Sequence, residues 1–302
     1  MQFRLGSIKR ALFIVPVVLT LLLSACGGSS TDKSLTIGSK NDADGRLLAQ
    51  MYALLLEDKG YKVTLKLGLG QTPVLDSAIR NKQIDGYPEF TGTGLSTLKL
   101  ANESTKEGTY NSVKSAYESQ LKLTWLNPAY NLNDAYALCT SQANATKYNL
   151  KSIGDIANVA TPLTLSAQAD AVADPSVVPA IIKTYGLTFK PDVLKVDESL
   201  SFDAVLQGNA DVNICYTTDP TIASKNFVIL NDSKGAFTFY NPAPLFRDDT
   251  LSKFSDIPSI LNPLEDKLTT ASIIDLIGKY KGQGQNISDV AKQYLQSVGL
   301  LK

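Results

Sequence analysis

The sequence predicts an α/β fold built from two blocks of alternating strands and helices, followed by a helical C-terminal part. Along the chain, segments with alternating apolar and polar residues, typical of strands, are followed by segments with apolar residues at helical spacing. The connections are short, and the blocks cover residues 34–133 and 138–237. This order is typical of parallel sheets covered by helices.

The first block is expected to begin with a strand at 34–39, where the alternating pattern ends in Gly-Ser. A helix is predicted over 44–60, because apolar residues recur at helical spacing and a glycine ends the run. The alternation returns over 61–70. The next helix, 72–83, opens with Thr-Pro, and proline suits the first helical position. A third strand then leads into residues 84–94.

The stretch QIDGYPEFTGTG (83–94) holds two aromatic residues, two acids, two threonines and three glycines. Because a core strand would be more apolar, we interpret it as a loop that follows the third strand and is arranged around a ligand. Glycine permits unusual backbone and close approach, while Pro88 stiffens the loop and Glu89 is expected to be a structural acid. Ligands of open α/β sheets bind beyond the carboxyl ends of strands, so this loop is expected to line a cleft.

The second block continues the alternation, and the loop 215–221 after one of its strands is expected to line the same cleft. Two helices, 272–285 and 287–301, are predicted near the end of the chain. The expected strands of the second block are 134–141, 162–167, 193–196, 211–218 and 226–232, and its expected helices are 152–159, 175–187 and 199–210.

The composition argues against several classes of function. Lys plus Arg and Asp plus Glu both total 29 in the 302 residues, so the chain lacks the basic excess of nucleic-acid-binding proteins. It contains no histidine, which excludes Ser-His-Asp and Cys-His sites and zinc sites built on imidazole. Carboxylate chemistry remains open, with Asp85 and Glu89 as the pair that a hydrolase would use.

The N-terminus predicts export. Three basic residues precede a short apolar run at 11–23, which falls below the roughly 20 residues of a membrane-spanning helix. The following LSAC resembles the lipobox of bacterial lipoproteins, with an ordinary cleaved signal as the alternative. We therefore expect a signal peptide at 1–25, lipidation of Cys26 and a flexible tether at 26–34. The mature protein would be lipid-anchored at the extracytoplasmic face of the bacterial cell membrane.

Two further cysteines, Cys139 and Cys215, lie in apolar or aromatic contexts. They can form a disulfide in an oxidising compartment. Two buried free thiols are an equal alternative, because the sequence does not give the Cα separation that a bridge requires.

Six motifs follow one another along the chain. They are IGSKN (37–41), LGLGQT (67–72), IDGYPEFTGTG (84–94), WLNPAYNLNDAYAL (125–138), TTDPTI (217–222) and VAKQYLQSVGLL (290–301). In this order they resemble the substrate-binding proteins of quaternary-amine ABC importers, which bind glycine betaine, carnitine or choline. The resemblance covers about residues 35–302, and the YPEFTGT motif makes it specific.

The resemblance implies a two-lobed fold of the periplasmic-binding-protein type (type II-like), with the ligand cleft between the lobes. Lobe 1 would comprise 35–135 plus 241–302, and lobe 2 would comprise 136–240. It also implies an aromatic cage, since a quaternary ammonium donates no hydrogen bond and is attracted by the faces of aromatic rings. The family's cage positions fall on Phe90, which keeps the ring but lacks the hydroxyl, and on Tyr136, Tyr216 and Tyr240.

The polar end of the ligand site follows from the same resemblance. Lys40 and Thr93 match positions that hold a ligand carboxylate, and Gln71 and Thr72 lie in a neighbouring variable loop. Many relatives carry F-x-x-R-x-D-G, but the matching stretch here is ADAVADP (169–175), with Val172 in place of the arginine and only Asp174 kept.

This departure bears on the ligand. Losing the bidentate arginine weakens the case for a carboxylate-bearing ligand. If Asp134 points into the site, it would favour a cation such as choline; a solvated loop position for Asp134 is the alternative.

The function that follows is the capture of a small quaternary ammonium compound and its delivery to a separate ABC permease, after closure of the lobes by hinge motion. We expect no enzymatic activity, no cofactor, no bound metal and no nucleic-acid partner. The first alternative is a binding or sensor protein of the same fold for another small cation or a thiol-betaine. The second is the carboxylate-dependent hydrolase.

Overall fold

Two five-stranded sheets organise residues 33–302, the part of the chain that the computed structural model describes. We call the parts of the chain around these sheets the first and the second lobe. In spatial order the first sheet contains β2 (Lys62–Gly70), β1 (Ser34–Lys40), β3 (Gly86–Phe90), β10 (Pro242–Arg247) and β4 (Leu123–Trp125). The second contains β7 (Leu194–Lys195), β6 (Leu165–Ala167), β8 (Val212–Tyr216), β5 (Tyr136–Ser141) and β9 (Phe227–Ile229). The predicted α/β class is confirmed.

The sheets are mixed, so the prediction of parallel sheets was wrong. In the first sheet β1 pairs in parallel with β2 and β3, but β10 runs antiparallel to β3 and β4. In the second, β6 is parallel to β7 and β8, but β5 is antiparallel to β8 and β9. Strands β5 and β10 are those at which the chain enters one sheet from the other, so no crossover helix fixes their direction.

Helices cover both sheets. The first lobe contains α1 (Ala43–Asp58), α2 (Thr72–Arg80), α3 (Thr91–Leu98), α4 (Lys106–Leu121), α10 (Asp248–Lys253), α11 (Ile257–Glu265), α12 (Thr270–Ile277) with a short π-helix (Gly278–Gly282), and α13 (Ile287–Ser297). The second contains α5 (Gln142–Tyr148), a 3-10 helix (Ile153–Asn158), α6 (Ala169–Ala173), α7 (Val178–Tyr185), α8 (Glu198–Leu206) and α9 (Thr221–Ser224).

Helix α1 is the central helix of the first lobe. It begins at Asp42, whose side chain accepts a hydrogen bond from the Gly45 N–H at 2.7 Å. Its apolar face, including Leu48 and Leu56, is buried in one cluster with residues of the C-terminal helices, such as Leu261 and Leu295. The C-terminal helices therefore complete the core of the first lobe.

The interpretation of 83–94 as a loop was wrong. Residues 86–90 form the buried strand β3 between β1 and β10, and the chain then passes directly into α3. Gly86 fits there because a Cβ would lie 2.6 Å from the Phe246 ring. Glu89 is tolerated in the core because it pairs with the buried Lys40 ammonium.

Cys139 and Cys215 form a disulfide between β5 and β8, with their Cα atoms 6.0 Å apart. This bond decides between the two states that the sequence left open. The same two strands carry Tyr136 and Tyr216 directly opposite each other in the antiparallel register.

The predicted signal peptide, Cys26 and nearly all of the tether lie outside the described residues. Within 33–302, none of the helices combines the length and the apolar character needed to cross a membrane.

Candidate functional site

A cleft of about 1530 Å³ lies between the lobes and is lined by both. The structure brings together along it every position that the sequence analysis selected for the ligand. These residues are Lys40, Gln71, Thr72, Phe90, Thr93, Asp134, Tyr136, Tyr216 and Tyr240.

Three of the four selected aromatic rings form a cluster in which Tyr136 contacts the other two. Tyr136 and Tyr216 lie with ring centroids 4.8 Å apart and planes tilted by 35°, and the Tyr216 hydroxyl donates to the Tyr136 hydroxyl at 3.2 Å. Tyr240 meets Tyr136 edge to face, at 5.6 Å and 85°. Burial raises the pKa of Tyr136 and of Tyr240, so both phenols stay neutral. The rings thus form a neutral aromatic wall.

Phe90 is the fourth ring. It ends β3 and immediately precedes α3, with only 4% of its surface exposed. Two residues further on, Gly92 lies so close to Tyr240 that a Cβ would be 2.8 Å from three atoms of that ring. The glycine therefore lets the Tyr240 ring lie against the backbone of α3.

Lys40, at the end of β1, faces a negative partner within the protein. Its ammonium pairs with Glu89, and it lies 5.1 Å from the centroid of Phe90. Glu89 also accepts hydrogen bonds from the Phe90 N–H at 2.7 Å and from the Tyr87 hydroxyl at 3.1 Å. Since this carboxylate offsets the lysine charge, Lys40 is a weaker anchor for a ligand carboxylate than its position alone indicates.

Asp134 lines the cleft, where it lies beside another acid. Its carboxylate accepts a hydrogen bond from Thr218 of the second lobe and interacts with Asp44, which is 5% exposed at the start of α1. Burial, with the nearby carboxylates, raises the pKa of Asp44 well above its usual range. Burial and Asp44 also raise the pKa of Asp42 to about 7. Asp134 is thus a half-buried loop acid on the wall of the cleft, and its role in binding stays a prediction.

The remaining lining residues make the cleft acidic. Eight aspartates and three lysines of the described residues line it, and no arginine among them does. The sequence analysis named Asp134 and Asp174 but missed the other six aspartates, because isolated acids on separate elements form no recognisable pattern. They are Asp42, Asp44, Asp76, Asp170, Asp197 and Asp219.

Val172, which stands where the resemblance implies an arginine, is not among the residues that line the cleft. Val172 packs against the hydrophobic core of the second lobe. Its neighbours Ala173 and Asp174 do line the cleft. A planar, bidentate carboxylate clamp is therefore missing from this side of the cleft.

The carboxylates of the hydrolase alternative have structural partners. Asp85 accepts a hydrogen bond from the Thr36 N–H at 2.7 Å and pairs with Arg247 at 2.7 Å. Glu89 is held by Lys40, and Asp85 is not among the residues that line the cleft. The two acids therefore do not form a pair in the cleft.

Comparison with known proteins identifies the family. The glycine betaine-binding protein YehZ of Escherichia coli K12 is 30% identical over 278 residues, which cover 88% of this chain and 91% of that protein. The carnitine transport binding protein OpuCC of Listeria monocytogenes is 29% identical over 297 residues, 95% of each chain. The structure of apo YehZ from Escherichia coli matches with a TM-score of 0.69 at 28% identity, covering 88% of this chain and 99% of that one.

The family model for the substrate-binding domain of the ABC-type glycine betaine transport system (OpuAC) matches residues 33–297. This match spans nearly all of the described residues, and the two-lobed architecture agrees with it. The chain therefore belongs to the family of substrate-binding domains of ABC-type glycine betaine transport systems.

Proposed function

We propose that this chain, a solute-binding protein and not an enzyme by family, captures a small quaternary ammonium compound in the cleft. The observation that carries the proposal is the contact cluster of Tyr136, Tyr216 and Tyr240, which together with Phe90 lines an acidic cleft. Each ring that presents its face to the cation contributes roughly 0.5–2 kcal/mol. The tetraalkylammonium group would lie against the wall of tyrosines.

The charges of the cleft favour a ligand with a net positive charge, of the choline type, over a zwitterion. Aspartates outnumber lysines among its lining residues, Lys40 is paired with Glu89, and Val172 replaces the relatives' arginine. A ligand carboxylate would meet negative potential at Asp134 and few donors to offset it. Gln71, Thr72 and Thr93 can hydrogen-bond a neutral tail such as a hydroxyl.

Transport follows as part of the same proposal. Closure of the lobes around the ligand would present a surface that an ABC permease recognises, and the lipid on Cys26 would hold the protein beside that permease. Membership of the substrate-binding family supports the extracytoplasmic placement, and the N-terminal sequence supports the lipid anchor.

A ligand panel tests the proposal on the mature chain without lipid. Choline, glycine betaine, carnitine and ergothioneine are compared by thermal shift, with glycine as the unmethylated control. Ligand at 100 times its Kd stabilises the protein by about 2.7 kcal/mol. We expect the largest shift with choline; a shift with ergothioneine alone would favour the thiol-betaine alternative. No shift with any compound would contradict the proposal.

Matched ring deletions test the site. Tyr216→Leu removes a ring of the aromatic wall, whereas Tyr130→Leu removes a half-buried ring that packs on Tyr110 and is not among the cleft-lining residues. We expect a loss of affinity of about 2- to 30-fold in the first variant alone. Equal losses in both would show that the aromatic wall does not contact the ligand.

A further inference from the structure

A hydrogen bond joins the two lobes across the cleft. The Ser96 hydroxyl of α3, in the first lobe, donates to Oδ2 of Asp174, which directly follows α6 in the second lobe, at 3.3 Å. Both residues line the cleft. This contact lies apart from the connecting segments, where Ala135 and Thr217 are joined by hydrogen bonds of 3.0 and 3.1 Å.

The other carboxylate oxygen of Asp174 leads to the aromatic wall. Oδ1 accepts hydrogen bonds from the Ser176 N–H at 2.8 Å and from its hydroxyl at 2.6 Å. The side chain of Ser176 also interacts with the Tyr240 phenol. A single carboxylate thus contacts the first lobe with one oxygen and, through one serine, an aromatic ring of the ligand site with the other.

Helix α3 contacts both ends of the series of contacts that runs from Asp174 through Ser176 to Tyr240. Ser96 meets Asp174 at one end, and at the other end Gly92 lies against the Tyr240 ring. A change in the distance between the lobes therefore acts on Asp174 and on the position of Tyr240 together.

We infer that Asp174 is a positioning residue that couples closure of the two lobes to the placement of the Tyr240 ring. The inference rests on the proposed function and deepens it. When the lobes approach, the Ser96–Asp174 hydrogen bond forms, and Asp174 holds Ser176 so that Tyr240 is fixed against α3. A cation bound on that ring is then retained by the closed lobes. The main consequence is a slower release of ligand.

The test compares Asp174→Asn with Asp192→Asn, using choline as the probe. Asp192 is an exposed residue of the second lobe and is not among the residues that line the cleft, so both variants remove one negative charge from that lobe. We expect Asp174→Asn to speed choline release about three- to tenfold, because the charged acceptor of the Ser96 hydrogen bond is replaced by a neutral amide. Asp192→Asn should leave the release rate within twofold of the wild type.

A double-mutant cycle identifies the partner. Ser96→Ala alone should speed release by a similar factor, and adding it to Asp174→Asn should have little further effect, because both changes act on the same bond. Effects that multiply would contradict the coupling. Equal release rates in Asp174→Asn and Asp192→Asn would also overturn it.

Lobe separation is measured without ligand, so that the inference and the proposed function can fail separately. Spin labels on cysteines introduced at the exposed positions Ser104 and Lys183 report the distance between the lobes. We expect Asp174→Asn and Ser96→Ala to shift this distribution towards longer distances, unlike Asp192→Asn. An unchanged distance distribution contradicts the inferred role of Asp174 in holding the lobes together, even if choline binds. A wild-type protein that binds no quaternary amine contradicts the proposed function instead.

Discussion

Replacement of Gly92 by alanine tests the position of Tyr240 directly. The new Cβ would lie 2.8 Å from three atoms of the tyrosine ring, and an ordinary contact begins at 3.4 Å, so the ring must move by about 0.6 Å. Because Tyr240 is only 6% exposed, the ring has little space in which to move. Overpacking of this kind costs about 1–3 kcal/mol, of which the better helix propensity of alanine offsets up to about 1 kcal/mol.

The displaced ring should also weaken ligand binding. A displaced ring loses part or all of one cation–π contact, about 0.5–2 kcal/mol, which corresponds to an affinity loss of about 2- to 30-fold. Titration calorimetry with choline measures this loss, and thermal unfolding measures the change in stability.

Gly94 supplies the matched control on the same helix. A Cβ there would lie 2.9 Å from the ring of Trp125 and 3.0 Å from Val113, both in a hydrophobic cluster that excludes the cleft residues. Gly94→Ala should therefore destabilise the protein to a similar extent but leave choline affinity unchanged. If Gly92→Ala keeps wild-type affinity, or if both variants lose it equally, the proposed contact of Tyr240 with the ligand is refuted.

Three further changes have defined outcomes. Replacing Cys139 and Cys215 by alanine opens a link between residues 76 apart and should lower the free energy of unfolding by about 4.5 kcal/mol, measured by thermal unfolding; equal stability with and without reductant in the wild type would contradict this. Burial raises the pKa of Glu265, whose Oε1 accepts from Tyr52 at 2.8 Å, so the wild type loses stability as pH rises above 4.5. The free energy of unfolding of Glu265→Gln, measured in urea, should therefore rise relative to that of the wild type by up to about 1.4 kcal/mol per pH unit. A constant difference between the two proteins from pH 4 to 8 would refute this. Because burial raises the pKa of Asp42 to about 7, choline affinity should increase about two- to tenfold from pH 6 to 8 as that group becomes negative; Asp42→Asn should flatten the profile, and an affinity that decreases with pH would refute the assignment.

The periodic segments of the fold were predictable, but the strands with unusual composition were not. Helix α1 follows from its apolar spacing, and the capping box of Ser152 and Asp155 marks the start of a helix that turns out to be of the 3-10 type. Strand β10, with the sequence PAPLFR, was missed because proline argues against a strand in the middle of a sheet. In the structure Pro244 of β10 faces Pro88 of β3. Each of the two paired strands contains a proline, so neither has the sequence pattern of a central strand.

Among the helices of the first lobe that were missed, α3 and α4 have related explanations. Helix α4 buries only Thr109, Val113 and Tyr117, too few residues for a clear periodicity. Helix α3 is rich in threonine and glycine, which propensity alone assigns to a loop. Its glycines are explained by the rings of Tyr240 and Trp125, contacts that appear only in three dimensions.

The candidate site divides in the same way. The aromatic and polar positions were predictable through ordered motifs, and all of them line the cleft. Their role in binding remains a prediction. The acidic lining and the interaction of Asp44 with Asp134 depend on tertiary contacts between elements that are distant in the chain, which a single sequence does not show.

The pairing of Tyr136 with Tyr216 has a consequence for folding. These rings are 80 residues apart in the chain, so their meeting requires the closure of a long loop and the assembly of β5 with β8. The aromatic wall therefore cannot exist in a partly folded chain that has only local structure. A ligand that binds this wall stabilises contacts that form late, and it should slow unfolding much more than it speeds folding. The lifetime of the native second lobe should therefore lengthen when the ligand is added.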